Sequence, residues 1–150
     1  MRAKEALERY LQEGGDGPDD AEAWRLLASV CYRQGDLLGE VHAFIERANI
    51  ETVLFSDISN TANRLNKILS DSSISIEREV KWKLAERLLA VLDRRHAEAD
   101  AGDYSRMVWL ALNMREEERA RSYVAAGLAL DPENYYCNGL AVRLGMKSPS

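Results

Sequence analysis

Long apolar runs are missing from this sequence. None of its 150 residues lies in an uninterrupted hydrophobic stretch approaching the ~18 residues needed to cross a bilayer, so no membrane partner is expected. Cysteine is nearly missing as well. Cys31 and Cys137 can build neither a disulfide framework nor a thiolate metal site, and both are expected as small buried hydrophobes in a reducing compartment. There is no glycine-rich phosphate loop, no HExxH and no GxSxG. The two histidines, His42 and His96, fall in separate segments with no neighbour at nucleophile or metal spacing. Glu116-Glu-Glu118 could suggest paired carboxylates, but consecutive residues spread around a helix, and acids in a first turn answer the helix dipole. The expectation is therefore a protein that is not an enzyme, with no catalytic residue, no metal and no cofactor.

Surplus positive charge is also lacking, the formal net charge being −5. Residues 1–63 carry 6 basic and 12 acidic groups, 64–96 carry 8 and 5, and 97–150 carry 6 and 8. Binding to phosphate backbones requires clustered cations, so nucleic acid is disfavoured; the basic 64–96 stretch is the one segment that keeps an RNA reading open. The start, Met1-Arg-Ala-Lys-Glu-Ala-Leu7, is already amphipathic rather than a cleavable leader, and a cytoplasmic location is expected.

What the chain does have is helical periodicity. Apolar residues recur at 3.6-residue spacing in segments 2–13, 21–34, 37–48, 57–70, 76–98, 103–114, 116–130 and 134–145, about eight helices with no strand. Gly14-Gly-Asp-Gly-Pro18 breaks the first, and Asp19 or Asp20 is placed to cap the second. Gly35-Asp36 supplies a left-handed stop. Ser75 is the predicted cap of the longest helix, whose stripe is Val80, Leu84, Leu88, Val91 and Leu92. Pairing through short connections gives antiparallel hairpins at 21–48, 57–98 and 103–130, with a half-pair at each end.

An echo at an offset of 80 residues points to repetition. Trp24, Leu27 and Ala28, turning at Gly35-Asp36, correspond to Tyr104, Met107 and Val108, turning near Arg115-Glu116. Phe44 continues the first copy; Ala120 and Pro132 continue the second, within Leu128-Ala-Leu-Asp-Pro-Glu-Asn134. Ala6, Tyr10 and Pro18 have the spacing of a preceding second helix and closing proline. This pattern resembles the 34-residue tetratricopeptide repeat, in which an aromatic, a Leu and a small residue on the first helix are answered by Ala, Phe and a closing Pro. Cys31, Glu40 and Thr52 depart from it in the first copy, and Arg115 replaces a turn glycine in the second. The resemblance covers roughly 1–48 and 103–145. It implies an all-α solenoid of stacked hairpins: a half repeat at 1–18, repeats at 19–52 and 102–134, an irregular long hairpin at 53–101, a capping helix at 135–146 and a tail at 147–150. Starting in mid-repeat, the chain is read as a domain of a longer protein in preference to one with a native cap.

At 100° per residue, Arg25, Ser29 and Arg33 share a flank beside the core stripe of Trp24, Leu27, Ala28 and Cys31. Asn60, Asn63 and Lys67 lie opposite Ile58, Ala62, Leu65 and Leu69, and Ser105, Trp109 and Asn113 line the matching flank of 103–114. A solvated face is the plain reading of such polar stripes, yet two asparagines on one stripe sacrifice helix propensity without packing gain. In the family this flank lines a concave groove. The resemblance therefore implies a module that binds a protein or peptide through Arg25, Ser29, Arg33, Asn60, Asn63, Lys67 and Trp109. The alternative is an oligomerisation or packing domain of a larger effector or enzyme, with Trp109 buried in a homo-oligomer.

Overall fold

The computed structural model describes residues 2–12 and 18–148, and the regular elements in them are all helical. Eight α-helices run in order: α1 (Arg2–Gln12), α2 (Pro18–Arg33), α3 (Leu37–Ala48), α4 (Phe55–Ser70), α5 (Arg78–Arg94), α6 (Ala101–Asn113), α7 (Glu117–Leu130) and α8 (Tyr135–Arg143). One 3-10 turn, His96–Glu98, follows α5. The predicted break at Gly14–Gly17 lies outside the described residues. No described helix is long and apolar enough to cross a membrane.

The chain divides into two compact units, 1–64 and 65–150, the division falling within α4. In the first, α2 and α3 fold back on one another and α1 packs against α2. Leu11, Leu27, Ala28, Cys31 and Ala43 form a buried cluster, bordered by Leu7, Trp24 and Phe44. Trp24, expected on the core stripe, is thus half-buried at the edge of that cluster. In the second unit α6 is the hub, packing against α5, α7 and α8. Met107, Val108, Leu110 and Ala111 of α6 have no solvent access, and neither do Leu88 and Leu89 of α5 or Val124 of α7. Each large aliphatic buried in this way contributes about 1.5–3 kcal/mol.

Both hairpin turns close by the same hydrogen bonds. The Gly35 amide donates to the Tyr32 carbonyl (3.0 Å) and the Asp36 amide to the Cys31 carbonyl (2.8 Å), with Gly35 left-handed at φ +74°. Eighty residues on, the Arg115 amide donates to the Leu112 carbonyl (3.0 Å) and the Glu116 amide to the Ala111 carbonyl (2.9 Å). Here the left-handed residue is Arg115, at φ +60°.

Several helix starts differ from expectation, each for a physical reason. α2 begins at Pro18, because proline suits the first helical position, where its missing amide costs nothing; Asp19 and Asp20 therefore lie inside the first turn and not before it. α4 begins at Phe55, two residues early, which places buried Phe55 one turn before buried Ile58. α5 begins at Arg78 and not at Ser75, with Glu77 at the cap position making no side-chain bond. Over 73–77 exposure alternates, with Ile74 and Ile76 half-buried and Ser73, Ser75 and Glu77 exposed. Only an extended segment points residues i and i+2 the same way. Within α5, Ala85 and Leu89 join the buried stripe while Val80 is exposed.

Candidate interaction groove

Three helices of the first unit present side chains to two adjoining cavities of about 370 and 260 Å³, which share Arg25 and Phe44. From α2 come Arg25, Ser29 and Tyr32, at the i, i+4, i+7 spacing that stacks residues on one face. From α3 come Glu40, Phe44 and Arg47 at the same spacing, and from α4 come Asp57, Asn60, Thr61 and Arg64. Phe44 is half-buried and supplies an apolar surface common to both cavities.

The groups around Phe44 are charged but largely paired. Arg64 donates to Glu40 Oε1 through Nη2 (3.0 Å) and Nε (3.3 Å), and its guanidinium lies 5.7 Å from the centre of the Tyr32 ring. Glu40 is only 8 % exposed, so this pairing answers a carboxylate that would otherwise be desolvated alone. Arg25 donates to Glu22 through Nε at 2.9 Å and through Nη2, and that hydrogen bonding holds the Glu22 carboxyl below its ordinary range. Arg47 is the least satisfied. Both of its terminal nitrogens stand 3.5 Å from Asp57 Oδ2, and its buried Nε has no hydrogen-bond partner. Thr61 donates to the Asp57 carbonyl (3.1 Å), which fixes it within α4.

Of the residues singled out in the sequence, Arg25, Ser29 and Asn60 come together at these cavities. Arg33 is exposed at the end of α2, and Asn63 is exposed on α4. Lys67, also exposed, belongs to the second unit. So does Trp109, 37 % exposed, whose ring lies 4.8 Å from the Arg143 guanidinium. Trp109 shares an open cavity of about 630 Å³ with Tyr135 and Tyr136, which are 83 % and 63 % exposed. The rest of its predicted flank is occupied: Ser105 is buried and donates to the Gly102 carbonyl (2.6 Å), and Asn113 donates to Asn66 Oδ1 (3.0 Å).

Sequence reasoning missed Tyr32, Arg47, Asp57 and Arg64, and it assigned Phe44 to the repeat pattern alone. The available signal was the 40/44/47 spacing, which puts two charged residues beside an aromatic on a second helix. Among the described residues no group of three His, Cys, Asp or Glu side chains is placed to hold a metal ion. Hydrogen bonding and apolar contact are what this groove offers chemically. No protein-family model matches the sequence, and no curated protein matches it.

Proposed function

We propose that the chain is a non-catalytic protein-interaction module, a solenoid of tetratricopeptide-like hairpins that holds an extended segment of a partner protein along α2, α3 and α4. The observation that carries this reading is the grouping of Phe44 with Arg25, Ser29 and Asn60 at two connected cavities. An extended peptide offers amides and carbonyls along its length and side chains that alternate. Guanidinium, amide and hydroxyl groups engage the former, and an aromatic surface seats one of the latter. Side chains fixed on helices lose little freedom on binding, which favours affinity. The two free, buried thiols suit a cytoplasmic setting.

Affinity capture of a partner followed by calorimetry tests the reading. Arg25→Ala and Asn60→Ala should each weaken binding by about 1–3 kcal/mol, as expected for loss of a desolvated polar contact. Because both residues are exposed, melting should stay within about 0.5 kcal/mol of the parent. Unchanged affinity in both variants removes the groove from consideration. Asn63→Ala and Lys67→Ala, exposed on the same helix, test whether the contact surface extends beyond the cavities. The exposed cluster of Trp109, Tyr135 and Tyr136 favours a second reading, an oligomerisation surface; light scattering of the parent and of Trp109→Ala tests it.

A further inference from the structure

On another side of α2, the helices α1, α2 and α3 border a separate, half-open cavity of about 390 Å³. A void left by trimming one large core side chain is on the order of 150 Å³. This space is a cleft open to solvent and not a closed core void, and its volume falls near the lower end of the ~300–1,000 Å³ range of small-molecule sites. Its lining is sorted by polarity. Leu11, Leu27 and Cys31, 6 %, 6 % and 2 % exposed, form an apolar floor, and Trp24 stands beside them.

The mouth is polar and its charges are unequally matched. Lys4 Nζ lies 3.3 Å from Asp36 Oδ2, and the other Asp36 oxygen accepts from the Gly39 amide (2.9 Å). That pair is mutually satisfied. His42 stands at the rim with its Nε2 3.8 Å from Glu46. Glu8, one helical turn beyond Lys4, also lines this cavity, and its negative charge is felt by both Lys4 and Cys31. An anionic ligand would meet two carboxylates against one ammonium that is already engaged. A cation would meet the Glu8 carboxylate, which Lys4 does not bind directly, and an indole on the wall, and both attract it.

We infer that this cavity binds a small organic cation, with its ammonium at Glu8 and an apolar, aromatic body over Trp24 and Leu27. The site is independent of the proposed groove and shares no lining residue with it. The probe is 2-phenylethylamine, with 3-phenylpropionate as its anionic counterpart. Binding is read from Trp24 emission in a chain carrying Trp82→Phe and Trp109→Phe, and from the methyl resonances of Leu11 and Leu27 in the unsubstituted chain. The amine should saturate both signals at millimolar concentration. The acid should bind about fivefold more weakly, the discrimination one exposed ion pair supports. Glu8→Gln should abolish that preference without altering the circular dichroism, since Glu8 is exposed. Absence of saturation in both readouts, equal binding of amine and acid, or an amine affinity indifferent to Glu8→Gln overturns the inference.

Discussion

The hairpins α2–α3 and α6–α7 reach the same turn by different chemistry. In the first, a glycine takes the left-handed position and Asp36 caps α3 by accepting from the Gly39 amide. In the second, Arg115 takes the left-handed position, and Glu116 stands at the cap of α7 with no side-chain bond. Farther along, Glu40 pairs with Arg64, whereas its counterpart 80 residues later, Ala120, is wholly buried. Local chemistry thus shapes the first turn, and packing enforces the second. The fully buried set of Met107, Val108, Ala111, Ala120 and Val124 over-determines the backbone, so a strained arginine is tolerated. Charge follows the same division: residues 1–64 carry 7 basic and 12 acidic groups, and 65–150 carry 13 of each. The net-negative, self-repelling unit is the one that holds the candidate groove.

The comparison breaks most decisively where the second hairpin relies on packing. A Cβ on Gly127 would lie 2.6 Å from Cys137 Sγ and 3.2 Å from Tyr104 Cβ. Gly127→Ala should therefore cost about 1–3 kcal/mol by overpacking, read as a lowered urea midpoint. Adding Cys137→Ala should recover part of that loss, so the double variant costs less than the two singles together. Strict additivity would mean that the sulfur is not what opposes the methyl.

In the first hairpin the decisive group is the cap. Asp36→Ala should cost about 1 kcal/mol. The Gly39 amide, and after it the Lys4 ammonium, hold the Asp36 carboxyl below its ordinary value of 3.8. A lowered folded pKa gives stability that is complete above the ordinary value and lost as pH falls through the folded one. The gap between parent and variant should accordingly be constant at neutral pH and narrow below about pH 4. A gap that stays constant through the acid range would show that the charge on Asp36 contributes nothing.

The smallest effect sharpens the contrast instead of breaking it. Arg115→Gly relieves about 1–2 kcal/mol of left-handed strain and gives back about 0.5–1 kcal/mol in chain entropy. A net gain of about 0.5 kcal/mol is expected in thermal melting. A loss would show that the Arg115 side chain contributes more than its backbone strain costs.

Local signals explain what could be read from the residues. α3 spans 37–48 as expected because its boundaries rest on Gly35 and Asp36, whose effects act within one turn. α5 starts later than Ser75, a good cap in isolation, because Ile74 and Ile76 are both half-buried, a tertiary demand that a helix over these residues would not meet. The groove was legible on its outer helices, where angular arithmetic put Arg25 and Ser29 beside one apolar stripe and Asn60 opposite another. It was not legible on α3, since one aromatic such as Phe44 can serve core and cavity at once, and spacing does not distinguish the two.

Each unit also holds one reduced sulfur against a glycine. Cys137 is inaccessible, its thiol donating to the Ala101 carbonyl (3.3 Å) beneath Gly127. Cys31 is nearly so, but it borders the cavity under α1. Burial pushes both thiols above their ordinary value, so neither is a ready nucleophile in the closed state. An alkylating reagent can reach Cys137 only while its surroundings are open, whereas Cys31 has a path through the cavity as well. The two sulfurs thereby act as separate clocks, one timing the breathing of the second unit and the other the occupancy of a chamber in the first.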